Sequence, residues 1–275
     1  MPSNPTTAAA PGKGRPVPVA AEASATALRR FAAAVGPYVL AGLFILCIWQ
    51  LAVTLLAPPR TILPPPATVG STFWEELASG DLITNARVSL TRVVVAWLIS
   101  AVIAIPLGVV MARSKAAERF INPIVELFRP ISPLAWIPLA ILWFGIGESG
   151  KVFIIFVATF FPILLNTVDG VKRIDPVLLR AGRVLGCDTQ VDLFRRVMLP
   201  AALPSILVGL RISFGTGWAA IIAAELVAAN SGLGYLISDG MEILRSDLVI
   251  VGMIVIGVIG VLVDSLFKLA LTRFE

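Results

Sequence analysis

The segment Gly145-Ile-Gly147-Glu-Ser-Gly150-Lys151-Val152 carries glycines of the kind that cradle phosphates. It satisfies GxGxxG and stands one residue away from GxxxxGK[ST]. A phosphate loop needs a Ser or Thr hydroxyl on Mg²⁺, where this chain has Val152, and both patterns need a strand before the glycines and a helix after them. Asp169 falls near the offset of a ribose-binding acid, but the intervening Val152 to Val168 is almost unbroken apolar sequence. What these flanks allow is a tight turn between two apolar helices, with glycine supplying the φ values. The other chemistry-bearing residues are charges in apolar surroundings: Glu126, Arg129, Arg211, Glu225 and Asp264, with Arg92 bordering a further apolar run. A charge at a bilayer centre costs roughly 2.5–3.5 kcal/mol on insertion scales, so such residues face a cavity or a partner. Arg129 and Arg211 are candidates to hold an oxyanion through the guanidinium fork. Glu126, Trp136, Trp218 and Glu225 complete the candidate substrate path. The competing expectations are that Arg129 pairs with Glu126 one turn away, that Arg211 or Asp264 snorkels, and that the tryptophans anchor or pack.

The elements that must position these residues are membrane helices. Of 275 residues, 57% are hydrophobic and 14% charged, and apolar stretches of about 20 residues, enough to cross a bilayer, recur along the chain. The fold class is all-α, a polytopic membrane protein with about six transmembrane helices. Residues 1–28 are expected to form a disordered cytoplasmic tail, too poor in large apolar side chains to offset ordering. Arg29, Arg30 and Phe31 resemble a twin-arginine signal, but the longer apolar run behind them predicts an uncleaved anchor. The transmembrane domain is residues 29–275. Expected spans are 36–57, 93–112, a proline-broken 120–144, 152–168, 201–229 and 248–271, with an interfacial helix over 68–85. Cys47 and Cys187 form no CxxC and the chain has no histidine, so neither a disulfide framework nor a metal site is expected.

Six spans place both termini on one side. With the termini inside, the inner segments hold fifteen Lys and Arg residues and the outer ones only Arg60, Arg87, Lys151 and Arg245. This bias predicts cytoplasmic termini and a cytoplasmic segment 169–199. The net charge of +5 therefore reports topology and not nucleic-acid binding.

Within that inner segment, 179–204 reads as two short amphipathic helices. Gly186 suits a C′ position, Asp188 or Thr189 suits an N-cap, and Pro200 is expected to separate the second helix from the fifth span. Leu193, Phe194 and Val197 share one face, suited to a groove on a cytoplasmic partner. Ala181, Gly186, Val197, Leu199 and Pro200 resemble the EAA-xxx-G-xxxxxxxxx-I-x-LP pattern of permeases of binding-protein-dependent ABC importers. Arg180 stands where that family has Glu, Gly182 where it has the second Ala, and one extra residue lies between Gly186 and Val197. Over about residues 63–267, the runs around Glu126 to Pro130, Pro133 to Pro138, Leu142 to Glu148 and Ala223 to Gly234 resemble the taurine, aliphatic sulfonate, nitrate and bicarbonate branch.

The resemblance implies a permease of an ATP-driven importer for a small anion, in a bacterial inner membrane, working by alternating access. Taurine or another sulfonate is the expected solute, with nitrate or bicarbonate as alternatives. It implies a coupling segment at about 172–199, in which Arg180, Ala181, Gly182, Gly186, Asp188, Leu193, Phe194, Leu199 and Pro200 meet the ATPase. Expected partners are a second permease copy, two ATPase subunits, an extracytoplasmic solute-binding protein and membrane lipid. No catalytic, metal or cofactor site is expected in this chain, since ATP and Mg²⁺ belong to the partner. Two rivals are an ion-gradient carrier, whose internal repeats are not visible here, and a nucleotide-dependent membrane enzyme resting on the glycine cluster alone.

Overall fold

The computed structural model describes residues 40–187 and 189–271, and helix is the regular structure found among them. The tail, the twin-arginine-like pair, Asp188 and the last four residues lie outside the described residues. Two units are distinguished, divided after Ala57. The first contributes α1 (Leu40–Leu56), an apolar helix. It ends where Ala57 adopts φ 41° ahead of Pro58 and Pro59.

The second unit begins with α2 (Pro66–Ser79), which has a proline in its first turn and Gly80 at its end in the left-handed conformation, φ 85°. That turn breaks the expected 68–85 interfacial helix at Gly80, inside its bounds. As a result α3 (Asp81–Arg113) is one continuous helix well over the length of the expected span. α4 (Lys115–Phe128) and α5 (Ile137–Phe144) are separated by Pro130, Pro133 and a 3₁₀ turn over Pro133–Trp136, and they meet at 84°. The remaining elements are α6 (Glu148–Lys172), α7 (Pro176–Val184), α8 (Gln190–Leu193), α9 (Leu199–Ala228), α10 (Leu233–Glu242) and α11 (Ser246–Leu271).

Side-chain contacts fix the relative directions. Arg92 meets Glu148, Ser100 meets Thr159, and Gly108 lies against Thr167, so α3 and α6 are parallel. Gly170 faces Ser205, Gly209 faces Asn166 and Gly217 faces Thr159, so α9 runs antiparallel to α6. A Cβ on any of these three glycines would lie 2.6 Å from its neighbour, the close approach that small residues permit where lipid gives no hydrophobic drive. Trp218 bonds to the carbonyl of Ile256 and Arg211 to Asp264, making α11 antiparallel to α9.

Because α3 and α6 point the same way, the chain between them must return across the full thickness. The bent pair α4 and α5 is therefore one broken crossing, the expected third span. With α3, α6, α9 and α11, all apolar enough to cross a membrane, the second unit crosses five times. α6 is central, packed between α3 and α9. Pro162 within it lacks an N–H, which frees the carbonyl of Ala158, and Thr216 Oγ of α9 donates to that carbonyl at 3.0 Å.

Candidate functional site

At the Arg113 end of the bundle, α7 and α8 form the expected helix pair. Leu185 and Gly186 close α7, with Gly186 at φ 94°. The amide of Cys187 bonds to Gly182 O at 3.0 Å and that of Gly186 to Arg183 O at 3.3 Å, the paired bonds of a Schellman motif. Thr189 caps α8, accepting from the amide of Asp192 at 3.0 Å. The pair is held together at Gly182: a Cβ there would sit 2.8 Å from Val197 and 3.1 Å from Leu193.

Two expectations are corrected here. Pro200 does not separate α8 from α9. A π-helical turn over Phe194–Met198 joins them, so Gln190–Ala228 is one continuous rod. Pro200 follows directly on that π turn and is accommodated within the rod. Nor do Leu193, Phe194 and Val197 form a free face. Leu193 is buried beneath Gly182, while Phe194 and Val197 are half-buried. The outward apolar stripe belongs to α7 and its end: Val177, Ala181, Val184 and Leu185, with Val184 86% and Leu185 83% exposed. Arg180 and Pro200 are exposed, Leu199 half-buried and Gly186 exposed.

Midway along α6 a second feature faces outward. The elbow of the broken span and the middles of α6 and α9 line a cavity of ≈ 380 Å³. Its walls are apolar except for Arg129 and Thr216, and the Thr216 hydroxyl is engaged with backbone carbonyls. Arg129 is exposed and takes part in none of the ion pairs among the described residues. The expected Glu126 pairing is not formed, since Glu126 accepts from Asn122 at 2.7 Å instead. Trp136 packs tilted against Phe128 and edge-on to Phe153, and its indole nitrogen is buried without a partner among the described residues. Trp218 is buried and donates to Ile256 O at 3.2 Å, serving as packing. Arg211 is not at the cavity: it forms a bidentate pair with Asp264, at 2.6 and 3.2 Å, and Lys268 adds a third charge.

At the opposite end Arg92 and Glu225, each singled out in the sequence as a charge in apolar surroundings, meet in a cluster with Glu148 that the sequence did not foresee. Arg92 donates through Nε and Nη2 to both oxygens of Glu148, at 2.7 and 2.6 Å, and through Nη1 to Glu225 at 2.7 Å. Its remaining hydrogens reach Ser231, at the carbonyl and the hydroxyl. Glu225, whose side chain has no exposed surface, also accepts from Ser89 and from the amide of Gly234 at 3.0 Å. Lys151 bonds to Glu148 at 3.1 Å. A Cβ at Gly232 would collide with the Glu225 carboxylate, and that glycine holds φ 115°, so the 229–234 segment and Glu225 fit only each other. Glu225, expected on the substrate path, is thus enclosed among the described residues, with no exposed side-chain surface. The signals were present: Ser89 and Arg92 sit one turn apart on an apolar helix, and a glutamate precedes a glycine pair. The glycine cluster 145–150 is the turn into α6, preceded by helix α5 where a nucleotide site needs a strand.

Comparison with known proteins sets these features in context. The family model described as binding-protein-dependent transport system inner membrane component matches residues 104–275. The taurine transport system permease protein TauC of Escherichia coli (strain K12) is 37% identical over 234 residues, 80% of this chain and 82% of that protein. The bicarbonate transport system permease protein CmpB of Synechococcus elongatus is 36% identical over 193 residues, covering 70% and 66%. In fold, a chain of the MetNI methionine ABC transporter, solved in inward-facing conformations, superposes with a TM-score of 0.64 at 21% identity, over 73% of this chain and 99% of that one.

Proposed function

Given that the chain belongs to the family of inner-membrane components of binding-protein-dependent transport systems, we propose that it is the permease of an ATP-driven importer whose solute is a small oxyanion, with a sulfonate such as taurine favoured. The observation that carries this is the elbow cavity, where an unpaired guanidinium faces an otherwise apolar space beside the middle of α6. A buried or membrane-embedded cation without a carboxylate calls for a passing anion, and the fork of arginine matches a sulfonate through parallel hydrogen bonds. The cavity is open on one side, which a second copy of the chain would close.

The Arg113 end is the cytoplasmic one in this proposal. It gathers Arg113, Lys115, Arg119, Lys172, Arg173, Arg180, Arg183, Arg195 and Arg196, whereas the Arg92 end holds Arg60, Arg87, Lys151 and Arg245. Its exposed α7 stripe would dock on the ATPase, and a stroke there enters the rod 190–228 that also walls the cavity. ATP hydrolysis belongs to that separate subunit. Neither the carrier rival nor the enzyme rival gains support from the family match. Cys187 is buried and Cys47 is exposed, so orientation is better tested at Val184→Cys in a Cys47→Ser, Cys187→Ser background. An impermeant thiol reagent should label it only after permeabilisation.

The functional test is reconstitution in proteoliposomes with ATPase and binding protein. ATP-dependent taurine uptake is expected. Bicarbonate uptake without taurine uptake would overturn the sulfonate assignment, and uptake driven by an ion gradient without the ATPase would overturn the importer.

A further inference from the structure

The Arg92 cluster has two unequal halves. One is sealed: the Glu225 side chain has no exposure, and its oxygens are taken by Arg92, Ser89 and the Gly234 amide. The other half opens to solvent. Glu148 is 63% exposed at its side chain, while the Arg92 and Lys151 side chains that it bridges are 6% and 7% exposed. Over this open half lies a cavity of ≈ 700 Å³, lined among others by Thr84, Arg87, Arg92, Glu148 and Ser231. We infer that this open half is an oxyanion site held by the chain's own Glu148 carboxylate, and that an incoming sulfonate or carboxylate takes its place on Arg92 and Lys151. The inference rests on the anion-permease proposal and adds an entry site to it, at the end opposite the coupling helices.

Three features support the exchange. Glu148 is bound as a fork, Nε to one oxygen at 2.7 Å and Nη2 to the other at 2.6 Å, a geometry that two oxygens of a sulfonate reproduce. Replacing one monoanion by another leaves both buried cations neutralised throughout, which avoids the costly state of a buried charge without a partner. The displaced carboxylate needs little rearrangement, because Glu148 is the first residue of α6, follows Gly147, and already faces water. Arg87 adds attraction. It is exposed, lines the same cavity and joins none of the ion pairs among the described residues. Arg92 and Lys151 against Glu148 and Glu225 sum to zero, so Arg87 gives the mouth a net positive charge that draws anions in. Glu225 stays in place, so Arg92 changes its outward partner without leaving its inward one.

The test is calorimetric titration of methanesulfonate into the purified permease–ATPase complex without nucleotide, in an Arg129→Gln background that removes the elbow as a second site. Glu148→Gln should tighten binding by about tenfold or more, since an anion no longer competes with a tethered carboxylate. Adding Lys151→Gln should reverse the gain. Arg87→Gln alone should weaken binding several-fold through lost attraction. An assembled Glu148→Gln complex with unchanged affinity overturns the site. Should that variant fail to assemble, unchanged affinity in Arg87→Gln overturns it equally. If wild-type proteoliposomes import no anion, the broader proposal fails. If they import a sulfonate while Glu148→Gln binds no tighter, this site alone fails.

Discussion

The Arg92 cluster and the Arg129 elbow both place a guanidinium in apolar surroundings, and they resolve the cost in opposite ways. Around Arg92 every hydrogen has an acceptor and two carboxylates balance the charge. Around Arg129 the neighbours are Ile131, Pro133, Leu134, Phe161 and Leu165, and among the described residues no carboxylate forms an ion pair with it. The first arrangement ties α3, α6, α9 and the 229–234 segment into one joint. The second leaves binding capacity unspent at mid-thickness. A membrane charge is therefore best judged by whether its partners are already supplied, and Arg211, paired with Asp264 on a half-exposed face, stands between the two.

The largest effect should come from breaking the joint. Arg92→Met leaves Glu225 buried and unpaired, a loss of about 3–5 kcal/mol for one partner of a buried pair, and the yield of assembled complex and its melting temperature should fall sharply. Neutralising both partners, as Arg92→Met with Glu225→Gln, should recover part of the melting temperature. A double variant no more stable than the single would mean that the pairing is not what holds this end.

At the elbow the opposite signature is expected. Arg129→Gln removes charge-assisted bonds of about 1.5–3 kcal/mol to a passing anion, so uptake per assembled complex should drop roughly tenfold or more with the melting temperature unchanged. Arg129→Lys keeps the charge without the fork and should retain part of the rate. Lower stability with full normalised uptake would move Arg129 to the structural side of the comparison.

The Arg113 end, proposed to dock on the ATPase, provides a milder perturbation. Val184→Asp with Leu185→Asp places two charges on an exposed stripe without touching the Gly182 contact. ATPase copurification should fall several-fold while the permease alone melts normally. Undiminished copurification would remove the stripe from the docking surface. Smallest of all should be Arg211→Gln: its pair with Asp264 is about a third exposed, such pairs contribute ~1 kcal/mol or less, and uptake should remain within about twofold. A large loss would bring Arg211 back as a path residue.

By itself the sequence determined what depends on local chemistry. Apolar length marked the spans, because a bilayer admits only backbone that bonds internally. Gly186 marked the end of α7, and Asp188 or Thr189 the start of α8, because a left-handed C′ residue and a side-chain cap are each satisfied within a few residues; the structure gives Thr189 as the cap. The prolines between 123 and 138 marked the broken crossing, and the pattern over residues 181–200 marked the family. Tertiary structure alone decided the rest. Whether Pro200 breaks a helix depended on a π turn before it, and which face of the α7–α8 pair looks outward depended on Leu193 packing beneath Gly182. Glu126 and Arg129 stand one turn apart yet do not pair, while Arg92 and Glu225, 133 positions apart, do. A charge finds its partner through the crossing of helices, and helix periodicity carries no record of which distant turn will lie opposite.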